Sequence, residues 1–311
     1  MSLSPRPVLR SIVNSVPIIG VLLLTLALGG CSAVRLGYNN GPTLAYWWLD
    51  SYFDFDGEQS LRMRHDLQAV QDWHRKAEVP LLAQKLKELQ TMAPKPVTTE
   101  QVCALVSELQ TRLQVTLERV TPTIAALAPG LQSTQLEHMA QEFERRDRKW
   151  REEWMDGTVA ERSQRRVKQI VERAEPFYGA LEAAQLAVVR AHIASSSFDG
   201  PRQFQEMQRR HQDAIQVLRK IRSGEIAPSQ AGAEIRGLLE RTLKAPAPAY
   251  RHYMDQLTTE SCAAMAALHN SSTPEQRSRL LLALKGYEGD ARTLAAQLPD
   301  EAPPSQPQPG L

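Results

Sequence analysis

The sequence lacks most of what announces an enzyme. Its 311 residues hold three cysteines, seven histidines and only 6 % aromatic side chains. It contains no G-x-S-x-G, no H-E-x-x-H, no C-x-x-C and no glycine-rich phosphate loop. Serine-hydrolase, zinc-protease, dithiol-redox and nucleotide chemistry therefore have no motif to stand on. His65 and His74 share a helical stretch nine residues apart, too far for one metal ion, and His74 has Glu78 one turn on as a partner. No metal and no cofactor is expected. Charge of one sign is missing too. The formal net charge is +2, which leaves no electrostatic footprint for nucleic acid.

Long apolar runs are nearly absent, and the one that exists is at the N-terminus. Arg6 and Arg10 precede SIVNSVPIIGVLLLTLALGG. A basic start, a short apolar core and small residues after it have the layout of a secretory signal. The unbroken core from Val16 to Leu28 is shorter than the roughly 20 residues a membrane span requires. Leu28-Gly29-Gly30-Cys31 resembles a bacterial lipobox, with Gly where Ala or Ser is more usual. The resemblance implies cleavage before Cys31, acylation there and anchoring by two or more chains. Ser32, where Asp would suggest inner-membrane retention, points to an outer-membrane lipoprotein facing the periplasm. Residues 1–30 are then the signal peptide. Arg6 and Arg10 leave with it, and the mature body carries equal numbers of acids and bases.

With Cys31 taken by lipid, Cys103 and Cys262 remain. In the oxidising periplasm such a pair is a disulfide candidate. The alternative is two small buried thiols beside apolar helix stripes.

No stretch alternates apolar and polar residues with period two. Apolar residues recur instead in steps of three and four, as at Val102, Leu105, Val106, Leu109, Leu113, Leu117 and Val120. This is the stripe of an amphipathic helix. Thr134 with Glu137, Thr158 with Glu161 and Thr273 with Gln276 fit capping boxes. Prolines and Asp-Gly steps punctuate the stripes. The pattern predicts an all-α bundle of eight or nine helices. Their ranges are 57–90 (bent at Pro80), 99–120, 133–155, 158–174, 176–195, 201–222, 229–243, 249–269 and 274–297. The organisation is a lipidated, aromatic joint at 31–56 and a helical domain at 57–298, either one bundle or two halves meeting near Gly157. Residues 299–311, with five prolines, read as a disordered tail. The stretch EFERRDRKWREE at 142–153 balances its charges along a solvated face, with i,i+4 pairs such as Glu142–Arg146 and Asp147–Arg151. Arg162, Arg165, Arg166, Lys168 and Arg173 make the next helix basic; acids on neighbouring helices are their expected partners, and phospholipid headgroups or anionic envelope polymers the alternative.

The scarce aromatics concentrate just after Cys31. Tyr46, Trp47, Trp48, Tyr52, Phe53 and Phe55 fall within YWWLDSYFDFDGEQ. Trp48, Tyr52 and Phe55, at steps of four and three, would dock a short helix onto the bundle. A membrane belt is the second reading, since Trp and Tyr suit the bilayer interface. A sugar-stacking platform is the third. Asp50, Asp54, Asp56 and Glu58 lack the spacing of a calcium loop. Asp56 with Gln59 instead fits a helix cap.

Taken together, the lipobox, YWWLDSYFDFDGEQ, Tyr38-Asn39-Asn40, Trp73-His74-Arg75 with Glu78-Val79-Pro80, FERRDRKWREEW at 143–154 and FYGALEAAQ at 177–185 resemble a family of uncharacterised, all-helical bacterial lipoproteins of unknown function. The resemblance supplies no activity and no catalytic residue. LEAAQ at 181–185 and TPEQR at 273–277 also resemble, more distantly, the L-T-x-x-Q repeats of small periplasmic stress chaperones. The expected role is a non-enzymatic binding, scaffold or chaperone-like envelope protein, with an envelope protein or glycan as partner. The alternative rests on Glu260-Ser261, which is similar to the Glu-Ser pair of lytic transglycosylases. The glycine and aromatic motifs that accompany that pair are missing.

Overall fold

The computed structural model describes residues 30–297, with side chains from residue 33 onward. The signal segment up to Gly29, the Cys31 side chain and the proline-rich tail lie outside the described residues. Twelve α-helices and no strand occur among the described residues. They are α1 (Gly30–Asn39), α2 (Gly41–Phe53), α3 (Gly57–Ala77), α4 (Val79–Met92), α5 (Thr99–Leu127), α6 (Ser133–Trp154), α7 (Val159–Tyr178), α8 (Ala183–Ser195), α9 (Gly200–Ser223), α10 (Pro228–Leu243), α11 (Pro248–Asn270) and α12 (Pro274–Ala296).

The all-helical class holds, but the count is twelve rather than eight or nine. Part of the excess lies in the joint, where residues 30–53 form two helices. The rest comes from the predicted helix at 57–90, which ends at Ala77 and restarts at Val79 with Pro80 in the first turn. Proline suits a first turn because its missing N–H is not needed there. Two expected breaks are absent. α5 runs through Pro122 to Leu127, and α7 runs through Pro176 to Tyr178. An internal proline costs about 3 kcal/mol. In α5 the residues around Pro122 (Thr121, Thr123 and Leu127) are buried.

Five of the helix starts share one device. Asp56, Thr98, Gln132, Glu182 and Thr273 each precede a glutamine three residues on, and each pair forms a capping box. At α6 the box is Gln132 with Gln135, not the predicted Thr134 with Glu137. Four of these glutamines then meet in pairs. Gln135 Nε2 donates to Gln59 Oε1 at 2.7 Å, and Gln276 Nε2 donates to Gln185 Oε1 at 2.8 Å. Local capping has been extended into a junction between two helix starts.

The core is divided into several buried clusters. One gathers Leu136, Met139, Val217, Leu218, Ile221 and Ile235 from α6, α9 and α10. A second seats α2 on α3 through Tyr46, Met63 and Leu67. A third joins α4 to α12 through Val79, Ala83, Ala291 and Leu294. A fourth joins α5 to α11 around Val102, Cys262 and Ala266. The long helix α5 touches α3, α10 and α11, and so runs past three of the four. No helix among the described residues is long and apolar enough to cross a membrane.

Candidate functional site

Two places concentrate the residues singled out by sequence: the joint at α2 and a cleft beside α7, α8 and α11. In the joint, the helix period decides which aromatics are buried. Tyr46, Leu49 and Phe53 share a face, whereas Trp48 lies two residues from Tyr46, about 200° round the helix at ~100° per residue. Tyr46 is 6 % exposed. Its hydroxyl meets Ser60 Oγ at 2.9 Å, and the Arg64 guanidinium sits 3.5 Å from the ring centroid. Phe53 and Phe55 stack at 5.2 Å, and Tyr52 meets Phe143 at 5.5 Å with Arg146 over its ring at 4.2 Å. Trp47 is 59 % and Trp48 55 % exposed. Trp48 meets Tyr52 edge to face, the ring centroids 5.1 Å apart. The predicted docking face of Trp48, Tyr52 and Phe55 is therefore corrected. Tyr46 and Phe53 anchor the helix, Tyr52 and Phe55 flank them, and both tryptophans face outward.

Two of the joint's acids are occupied by backbone. Asp56 accepts from the Gln59 amide at 2.9 Å and Asp50 from the Phe55 amide at 3.0 Å. Asp54 takes a left-handed conformation at φ 47° to end α2. No group of three or more acids, histidines or cysteines among the described residues is arranged to hold a metal ion.

Cys103 and Cys262 are joined in a disulfide, with Cα atoms 5.4 Å apart and a sequence separation of 159. The bridge ties α5 to α11. Beside it opens a cleft of about 390 Å³, whose inner wall includes Val106, Ile170, Met254 and Leu257. Trp154 and Phe198, 5.5 Å apart, stand on one side. Arg166, Arg173 and His192 are the basic groups in its lining.

These arginines correct the expectation for α7. Arg162 donates to the carbonyls of Met155 and Gly157, and Arg165 to those of Glu153 and Asp156. They satisfy the orphan carbonyls at the end of α6, where cations are favoured. Among the described residues only Lys168 of the five has a carboxylate within 4 Å, that of Glu172 at 3.6 Å, and it stands on the same helix. Arg166 and Arg173 have no carboxylate within 4 Å among the described residues. The signal for the cleft was present in their spacing, since Arg166, Ile170 and Arg173 fall at i, i+4 and i+7. Without the neighbouring helices it could not be told from a solvated face.

Glu260 lies near this cleft, but its oxygens are engaged. They accept from the Ser197 amide at 2.9 Å, from the Ser197 hydroxyl, and from Gln256 Nε2 at 3.1 Å. Partial burial would raise its pKa, but the bonds from Ser197 and Gln256 outweigh it and hold the carboxyl below its ordinary value. Ser261 is exposed and the dipeptide makes no joint site. Glu260 fastens the loop between α8 and α9, together with Tyr253, whose hydroxyl accepts from the Asp199 amide at 2.8 Å.

Two histidines face other groups. His269 Nδ1 accepts from the Tyr178 hydroxyl at 2.9 Å, and its Nε2 donates to the Lys95 carbonyl at 2.9 Å. Burial lowers the His269 pKa, and burial pushes the Tyr178 phenol up to about 12. His211 stacks on Phe143 at 3.9 Å, and Asp147 pairs with His211 at 3.1 Å rather than with Arg151, its predicted partner.

A family model described as a family of unknown function, DUF6279, matches residues 51–227. No curated protein and no solved structure matches the chain.

Proposed function

The chain belongs to that family of unknown function, and from this premise we propose that it is an outer-membrane lipoprotein facing the periplasm. It is tethered through Cys31, and its helical body binds or scaffolds rather than catalyses. The observation that carries the reading is the uncovered face of the joint. Leu44, Trp47 and Trp48, at i, i+3 and i+4 on α2, are each more than half exposed. They lie within seventeen residues of Cys31, and Val34 and Leu36 on α1 are exposed before them. Tryptophan favours the bilayer interface because its apolar body carries a polar N–H. The buried side of α2 fixes the body, and the outer side seats it on lipid.

Glu260 supports the non-catalytic half of the reading. A general acid for glycoside cleavage needs a raised pKa at neutral pH. Here the carboxyl is stabilised as the anion and bound to a loop.

Labelled palmitate should enter the wild-type chain and not Cys31→Ala, with both followed through membrane fractionation. The double variant Trp47→Ala, Trp48→Ala of a chain made without acyl groups should bind phosphatidylethanolamine–phosphatidylglycerol vesicles several-fold more weakly. Its stability should change by less than about 0.5 kcal/mol, since exposed side chains contribute little. Equal vesicle binding would remove the belt. Release of fragments from purified sacculi, lost in Glu260→Gln, would replace the non-catalytic reading with the transglycosylase one.

A further inference from the structure

We propose that the cleft between α7, α8 and α11 binds an anionic amphiphile, one apolar chain ending in a carboxylate or phosphate, with Arg166 as its inner cation and Arg173 at the rim. The first reason is an underpaired charge. Arg166 is half-buried. Among the described residues, its contact partners are the Ser196 hydroxyl, at 3.0 Å, and the ring of Phe198, 4.4 Å from the guanidinium carbon, while Glu260 and Tyr253 act on it through space. A guanidinium has five donors, and a desolvated cation is costly without a counter-charge. Glu260 is the nearby acid, but Ser197 and Gln256 already occupy it. An anion entering the cleft would complete Arg166 without disturbing any bond now made.

The second reason is the wall. Ile170, Met254, Leu257 and the faces of Trp154 and Phe198 line a space of about 390 Å³. That volume falls in the ~300–1,000 Å³ range of small-molecule sites, which are mainly apolar with a few placed polar groups. Arg166 and Arg173 are two turns apart on α7, roughly 10 Å at 1.5 Å per residue. The apolar stretch between them is Ile170. Cations at the edge of an apolar trough match the two ends of an amphiphile: charge on the arginines, chain on the wall. Met265, more than half exposed, extends the trough to solvent, so an acyl tail has a way in. This inference stands on the cleft alone and does not depend on the fate of Cys31.

The test uses the full chain in nonionic detergent, with native mass spectrometry counting one-to-one adducts of dodecanoate, dodecyl phosphate and dodecyltrimethylammonium. Both arms of the anion class carry the same tail. Preference for dodecanoate assigns a free fatty acid, and preference for dodecyl phosphate assigns a single-chain lipid phosphate. The expected result is a saturable single adduct with one or both anions, at least tenfold tighter than with the cation. Arg166→Gln, Arg173→Gln should weaken it at least tenfold, as loss of charge-assisted bonds requires. Ser261→Trp, which fills the cleft from an exposed rim position and leaves both arginines, should also abolish the adduct. Equal binding of the cationic amphiphile overturns the proposal, and so does anion binding unchanged in the arginine variant. If the arginine variant does not fold, unchanged binding in Ser261→Trp overturns it. Such a failure leaves the membrane reading intact, because vesicle binding there is read at Trp47 and Trp48.

Discussion

Gln59 and Gln135 join the starts of α3 and α6, and Gln185 and Gln276 join the starts of α8 and α12, but the two junctions are not equally complete. In the first, each amide both gives and receives. Gln135 Nε2 reaches Gln59 and the Asp54 carbonyl, and Gln59 Nε2 reaches Gln135 and the Gly130 carbonyl. In the second, Gln276 Nε2 donates to Gln185 and to the Ala180 carbonyl. Gln185 Nε2, on a residue 0 % exposed, has no hydrogen-bond partner among the described residues. A buried donor without an acceptor costs about 1–3 kcal/mol. The second region compensates with fastenings the first does not have. The cystine ties α5 to α11, His269 links Tyr178 to Lys95, and Arg277 donates to the Pro94 carbonyl at 2.9 Å. Polar junctions and covalent or clamped ones thus trade places across the bundle.

Reduction gives the largest test of that contrast. Closing a loop of 159 residues stabilises by about 5 kcal/mol in the chain-entropy model. Cys103→Ser, Cys262→Ser should lower the urea-unfolding free energy by up to that amount. Amide exchange should quicken in α8, α11 and α12 before α3 and α6. Simultaneous loosening of both regions would make them one cooperative unit and erase the contrast.

Next in size are the glutamines. Gln135→Ala strands the Gln132 amide, the Asp54 carbonyl and Gln59 together, for about 3 kcal/mol. Gln276→Ala removes a junction that already lacks one bond and should cost about 2 kcal/mol. Equal losses, or the reverse order, in paired urea titrations would show the orphan amide to be irrelevant.

The smallest effect is pH-dependent. Burial lowers the His269 pKa, so the unfolded chain, with an ordinary value near 6.5, takes up the proton first. The contribution of neutral His269 is complete above about pH 6.5 and falls as pH drops through the folded value. His269→Gln keeps a donor for Lys95 and should flatten the decline of the melting midpoint below pH 6.5. His74, His192 and His211 are also lowered by burial, so some slope will remain. An unaltered slope would take His269 out of the account.

Helix identity was legible because the stripes and caps are local. Asp56 with Gln59 and Thr273 with Gln276 were readable as capping boxes from spacing alone. That Gln59 would face Gln135 was not, because a capping box satisfies only its own helix and says nothing of the helix start opposite. Trp48 was misjudged for a similar reason. Steps of four and three define a face but not which face is covered, and α3 covers the side of Tyr46. Of the cleft, the arginine spacing was visible, but the wall of Met254 and Leu257 comes from α11, about eighty residues away in sequence.

The pairing of α4 with α12 carries a consequence for biogenesis. Gln90 of α4 bonds Glu288 of α12 across 198 residues. A chain made from its N-terminus at roughly 5–20 residues per second leaves the apolar side of α4 waiting ten seconds or more for its mate. Contacts this remote in sequence also slow folding. The cluster between α4 and α12 thus cannot close until the last of the described helices has been made.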